Sequence, residues 1–243
     1  MRAAARRRAT STNLLPKQRD GMNVEIELLD RFMSAPHLVY FADPMCSWCW
    51  GFASVVDAVH EVWGDTLFVR LVMGGLRPGV SDIMADAAKD ELRGHWRHVT
   101  EASGQPFGRS GMDEPGFVYD TDPAARAMVL MRRNDPAQTL GFLHAVQFAF
   151  YSGGVNVTGV DALATLAGHF GQDVEAFAAD LVSDEVKQET WKDYALSRSA
   201  GVTGFPTLIM GPQADGTYVA IARGFQPIAA VLPAIAGQMT AAA

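Results

Sequence analysis

Cys46-Ser47-Trp48-Cys49 brings the only two cysteines of the chain into a spacing of three, directly after the apolar run His37 to Ala42 and at the head of a helix-like segment. Residues i and i+3 on a helical turn face each other, within the Cα separation of about 4.4–6.8 Å that a disulfide needs. A bridge that opens and closes is therefore geometrically easy. The species that attacks a disulfide is the thiolate, and a helix start favours it through unpaired N–H groups and the positive end of the helix dipole. Cys46 falls at that start and is expected to be the exposed nucleophile. Cys49, one turn in and flanked by Trp48 and Trp50, is expected to be more buried, to keep its proton longer and to act as the resolving thiol.

Two other uses of the pair compete. A structural disulfide would close a four-residue loop and so remove little chain entropy. Zinc needs about four ligands and there is no second cysteine pair; His95 and His98 share one helix face, but no metal site is expected.

These cysteines need elements that hold them. His37 to Phe41 reads as a buried parallel strand, and Thr66 to Met73 as a second one ending at Gly74-Gly75. Between them, Phe52, Val55, Val56, Val59 and Val62 form the apolar stripe of one helix over Ser47–Trp63. From about residue 80 to 200 the pattern turns helical. Helices are expected over 82–100, 122–133, where Asp122-Pro123 resembles an N-cap with proline at N1, and 136–151. Further helices are expected over 159–170, 173–181 and 184–200, with a Gly/Pro-rich loop over 106–119. The strands 207–210 and 217–223 form a hairpin around Asp215-Gly216, and a helix over 228–239 closes the chain.

Strand, CxxC and helix early in the chain, with Gly204-Phe205-Pro206-Thr207 and a hairpin late in it, resemble the thioredoxin-fold family. The likeness is to DsbA-like disulfide oxidoreductases with an inserted helical domain, the FrnE-like group and its bacterial disulfide-isomerase branch. Asp43 to Phe52 carries it, with Gly74 to Gly79, Ser103 to Phe107 and Tyr119 to Pro123 as further motifs. The resemblance implies an α/β thioredoxin fold, βαβ then ββα, interrupted by an all-helical insertion. It also implies that Pro206 is cis and lies against the sulfurs, and that the backbone of Phe205 meets a substrate strand. Ser47 and Trp48 support the site without adding positive charge. Trp50 and Phe107, as exposed aromatics, and Arg77 are candidate substrate contacts. The chain also departs from the family. Many relatives carry a buried carboxylate six residues before the first cysteine, where this chain has Tyr40. Asp43 is nearer and acidic, but Asp-Pro also simply opens turns, so the proton route for Cys49 stays unassigned.

With 243 residues, 49% of them apolar, the chain exceeds one minimal thioredoxin unit. The expected division is a disordered basic tail at 1–22, a thioredoxin-like unit at 23–79 and 190–243, and a helical insertion at 80–189. The first 21 residues hold six basic side chains against Asp20, without the apolar core of a secretory signal. Met22 is a candidate true start, and an organellar transit peptide is a weaker alternative. A cytoplasmic location is expected, where thiols are kept reduced. The net charge of −7 argues against nucleic acid as a partner, and no apolar stretch reaches membrane-spanning length.

The expected activity is reduction or isomerisation of disulfides in a protein or a small molecule, reset by an external thiol reductant. No cofactor is expected, with glutathione entering at most as a co-substrate. The couple should be less oxidising than that of DsbA, about −120 mV. Two alternatives are a kappa-like glutathione-dependent isomerase or transferase acting on a small molecule, and a non-catalytic peptide-binding chaperone.

Overall fold

The computed structural model describes residues 35–64 and 66–241. The expected basic tail lies outside them. The described chain is a four-stranded sheet wrapped by helices, in the order that the thioredoxin resemblance implies. It begins with strand β1 (His37–Ala42), helix α1 (Ser47–Gly51), helix α2 (Ala53–Trp63) and strand β2 (Val69–Met73). Then come α3 (Asp86–Ser103), α4 (Asp122–Asn134), α5 (Thr139–Tyr151), α6 (Val160–Gly168), α7 (Val174–Leu181) and α8 (Asp184–Ser199). Strands β3 (Thr207–Gly211) and β4 (Val219–Arg223) and helix α9 (Ile228–Ala241) complete it. The strand order is β2-β1-β3-β4, with β1 parallel to β2 and antiparallel to β3. Every residue of β1 is buried, as a central strand covered on both faces must be. The six helices α3 to α8 all lie between β2 and β3 in sequence, and α3 to α7 lie within the insertion. α8 runs across the junction expected at 189/190 and packs on both α4 and β2.

Three of the boundaries that differ from the sequence reading have a clear physical reason. The helix expected over Ser47–Trp63 breaks at Phe52, beside Gly51, where a side chain would meet Val99 Cγ1 at 2.9 Å; α3 comes that close only because residue 51 has none. β2 starts at Val69 rather than Thr66, because the Thr66 and Leu67 N–H groups both turn back to the Trp63 carbonyl. α3 starts at Asp86 rather than 82, because Ile83 bridges to Val118 and the Met84 N–H donates to Phe117 O. It runs on to Ser103 and ends on Gly104, whose φ of 76° suits a left-handed C-cap.

One continuous apolar core joins the two halves. It runs from Leu38 and Tyr40 on β1, through Cys49, Phe52 and Val56, to Met128, Leu130, Phe142 and Phe150 in the insertion. The insertion is thus packed on the dithiol segment, and a buried ion pair fastens it further. Arg132 on α4 donates both guanidinium nitrogens to Asp193 on α8 and also reaches the Leu71 carbonyl of β2, while the Met73 N–H donates to Asp193.

Candidate active site

The turn after β1 builds the site. The Cys46 N–H donates to the Asp43 carbonyl at 3.1 Å, and the Met45 N–H donates to Asp43 Oδ1 at 2.9 Å, so Asp43 does open the turn as Asp-Pro suggests. Cys46 then takes extended backbone angles as the N-cap of α1, and its carbonyl accepts the first helical bond, from Trp50 N at 3.0 Å. No side chain caps this end. A thiol at the N-cap therefore sits beside N–H groups that lack helical partners.

Both cysteines are free thiols. Cys49 is wholly buried, while Cys46 retains 6% of its surface. The order matches the expectation, but Cys46 is a narrow opening rather than an exposed side chain. Its Sγ lies 3.7 Å from the Phe205 carbonyl, and the Phe205–Pro206 peptide is cis. The late loop therefore meets the early cysteine. The Gly74-Gly75 pair explains how: a methyl at Gly74 would overlap the Phe205 ring, and one at Gly75, itself at φ 74°, would lie 2.9 Å from the Tyr194 ring. The two residues have no side chains because two rings occupy the space.

Burial, then the adjacent Cys46 sulfur, pushes the Cys49 thiol well above its usual range. Three tyrosines surround the pair. Tyr40 rises from β1, its hydroxyl close to Cys49 without an oriented hydrogen bond. Burial and the neighbouring sulfurs keep that phenol protonated. The Tyr119 hydroxyl donates to the Met45 carbonyl at 2.5 Å, and Tyr151 stacks on Trp50 with its hydroxyl near that of Tyr119. Asp43 is fully buried too, and Oδ2 accepts from Leu76 N at 2.9 Å and from Thr121 Oγ1 at 3.0 Å. Desolvation raises its carboxyl to about 6, against the opposing effect of these donors.

The candidate contacts separate by burial. Trp48 is half-buried, edge-on to His95 of α3 at 5.7 Å and tilted on Phe225 at 5.8 Å, so it bridges the insertion and the segment after β4. Ser47 is buried, and Pro206 lies at the start of β3 with its carbonyl accepting from Gly224 N. Trp50 is not an exposed aromatic: it is 6% exposed, with Nε1 donating to the Pro106 carbonyl at 3.0 Å. Its ring is consumed in docking the insertion onto α1. Phe107 is half-buried in the same cluster, stacked on Trp96 at 5.1 Å. Arg77 is exposed and lies 5.0 Å over the Tyr119 ring, which brings a positive charge to the rim. Among the described residues, no group of acidic, histidine or cysteine side chains is arranged to hold a metal.

Sequence reasoning missed Tyr119, Thr121 and Tyr151. The first two lay in a stretch already singled out, Tyr119 to Pro123; Tyr151 carries no local signal, because only the docking of α5 onto α1 places it here.

The model of a DSBA-like thioredoxin domain matches residues 37–235. The structure of a candidate protein disulfide isomerase from Nitrosomonas europaea is 32% identical and superposes with a TM-score of 0.78, over 86% of this chain and all of that one. The cytosolic disulfide reductase DsbM of Pseudomonas aeruginosa, solved also with GSH, shares the fold at 23% identity; without GSH the TM-score is 0.66, over 84% of this chain and 98% of that one. The ClpXP adapter protein SpxH of Halalkalibacterium halodurans is 23% identical over 70% of this chain, which spans 56% of that relative's length.

Proposed function

The chain belongs to the DSBA-like thioredoxin domain family, and on that premise we propose that it is a thiol–disulfide oxidoreductase working in the reducing or isomerising direction. The observation that carries this reading is the placement of the cysteines. Cys46 stands at a helix N-cap, 6% exposed and with its sulfur facing the Phe205 carbonyl, while Cys49 is wholly buried one turn further in. In the proposed cycle, the Cys46 thiolate attacks a substrate disulfide and expels one substrate thiolate. Cys49 then attacks Cys46, forming the internal disulfide and releasing the second substrate sulfur. Two external thiols of the glutathione class then reduce Cys46–Cys49 back to the dithiol by successive exchange and leave joined as their own disulfide, supplying the two electrons that the substrate took. An extended substrate would lie along Phe205 and against Trp48, with Arg77 at the rim. We place the protein in the cytoplasm and take the thioredoxin unit as 23–79 with 190–243, the insertion as 80–189. The DsbM structure with GSH supports glutathione as the resetting thiol.

The test is trapping. Cys49→Ser incubated with a model disulfide should accumulate one mixed disulfide, at Cys46, while Cys46→Ser should accumulate none; labelling at Cys49 instead would refute the assignment. The SpxH matches favour one second reading, a binding protein whose partner it holds without redox turnover. A Cys46→Ser/Cys49→Ser variant that keeps all partner binding, in a wild type with no turnover, would select it.

A further inference from the structure

The loop after β2 carries one charged side chain that the dithiol cycle leaves without a task. Arg77 is exposed, yet its backbone is held on both sides. Its N–H donates to Thr121 Oγ1 at 3.1 Å, and its carbonyl accepts from Thr121 N at 3.2 Å. The Thr121 hydroxyl donates in turn to Asp43 Oδ2 at 3.0 Å, and the N–H of the preceding Leu76 donates to the same oxygen at 2.9 Å. Asp43 opens the turn that ends on Cys46, so the stretch carrying Arg77 is tied directly to the nucleophile's own turn. The side chain is tied there as well. The guanidinium lies 5.0 Å over the Tyr119 ring, and the Tyr119 hydroxyl donates at 2.5 Å to the carbonyl of Met45, the residue before Cys46. One aromatic ring separates this cation from the cysteine turn.

The same loop borders the reacting sulfur at its other end. Gly74 lies against the Phe205 ring, and the Phe205 carbonyl is 3.7 Å from Cys46 Sγ. A substrate strand laid along Phe205 therefore runs beside the loop on which Arg77 stands. Its charge is also unspent. Among the described residues, Arg93, Arg126, Arg132 and Arg133 are each paired with carboxylates, whereas the partner of the Arg77 guanidinium is a ring. The acids of this loop cluster are turned to other donors: Asp120 Oδ1 accepts from Gly79 N and Asp122 N, and Asp43 from Met45 N, Leu76 N and Thr121. A guanidinium stacked on an aromatic face keeps its edge N–H groups for a planar anion. In a chain of net charge −7, a cation at this point decides which ligands approach more than how tightly the fold holds.

We propose that Arg77 sets substrate specificity: it receives a carboxylate lying a few atoms from the sulfur that Cys46 attacks, so the preferred substrates are anionic disulfides. The carboxylate belongs either to a small thiol acid or to an acidic residue beside a peptide cysteine. Arg77 contributes a charge-assisted hydrogen bond and transfers nothing, so the sulfur exchange runs as in the cycle above. Because Thr121 and Tyr119 already hold the residue in place, binding costs little further ordering.

This rests on the dithiol reading and deepens it, and the test keeps the two apart. Dithiodipropionate, hydroxyethyl disulfide and cystamine carry a carboxylate, a hydroxyl and an ammonium on arms of similar length. Their kcat/KM values are measured with the full chain as wild type, Arg77→Gln and Arg77→Lys. The wild type should prefer the dianion to the dication, and the preference should shrink as salt rises from about 20 mM to about 0.5 M. In Arg77→Gln the ratio of kcat/KM for the dianion to that for the neutral disulfide should fall about fivefold, while Arg77→Lys keeps most of it. A ratio unchanged in Arg77→Gln, or equal losses on all three disulfides, would overturn the proposal. Peptides with one disulfide flanked by Asp or by Asn then locate the carboxylate. Arg77-dependent discrimination between them assigns it to a protein substrate, and discrimination in the small series alone assigns it to a thiol acid. A wild type that reduces none of these compounds defeats the functional reading, and Arg77 is then decided without turnover. Cys46 is alkylated by iodoacetate and by iodoacetamide in the Cys49→Ser background. The ratio of the two rates should fall about threefold in Arg77→Gln, and an unchanged ratio refutes the role of Arg77.

Discussion

Two buried aspartates meet the same end of the same strand pair and are treated oppositely. Asp43 follows β1 directly, and Asp193 receives the N–H of Met73, the last residue of β2. Both accept a main-chain donor, and both tie a strand end to the insertion. Asp193 is held by two nitrogens of Arg132, at 2.7 and 3.1 Å. Asp43 receives only amide and hydroxyl donors, and desolvation lifts its carboxyl to about 6. A buried carboxylate with a bidentate arginine serves as a fastener. A buried carboxylate among neutral donors is held nearer to neutrality by desolvation, and this one follows β1 on the turn that carries the dithiol. The difference teaches that chemistry and cohesion are divided between neighbouring sites at one edge of the sheet.

The comparison can be broken from either side. On the dithiol side, Cys46→Ser should lower disulfide reduction by at least about 10³-fold, the loss expected when a nucleophile is removed, while moving the urea midpoint little; an active variant would end the comparison. The pH dependence of stability comes next. Asp43 titrates near 6 when folded and near 3.8 when not, so between those values the native state holds a proton that the unfolded chain has released. Stability must fall as pH rises from about 4 to 6, by up to about 3 kcal/mol, and Asp43→Asn should flatten that slope. Denaturation at pH 4, 5 and 6 checks the sign.

On the fastener side, Arg132→Met leaves Asp193 with the Met73 N–H alone. The cost should be about 2–3 kcal/mol, below the usual figure for a fully buried pair because the guanidinium is about a quarter exposed. Activity per folded molecule at pH 7 should stay within about threefold. The smallest effect sharpens the geometry of the late loop: Gly74→Ala displaces the Phe205 ring and should cost about 1–2 kcal/mol. It should also raise KM more than it lowers kcat.

Most of the scaffold was legible because its signals are local. The run His37 to Ala42, the CxxC at a helix start and the Asp215-Gly216 hairpin all produce the elements they announce. The break at Phe52 was not, since it depends on α3 packing against Gly51, a contact 48 residues distant. The placement of Cys46 at a helix start with Cys49 buried one turn in was readable from the motif. The site was misread at Trp50, because an aromatic beside a reactive cysteine looks the same in sequence whether it faces substrate or, as here, the Pro106 carbonyl. Asp43 shows the limit most clearly. Its role as a turn opener is written in Asp-Pro, but its three neutral donors come from residues 45, 76 and 121, and only the fold brings them together.

The most direct test of the central claim is the reduction potential of the Cys46/Cys49 couple, measured by equilibration in glutathione buffers. A single reversible two-electron couple below about −230 mV is the predicted result for a reductase or isomerase. A value near −120 mV, or no exchange with glutathione at all, would contradict the account.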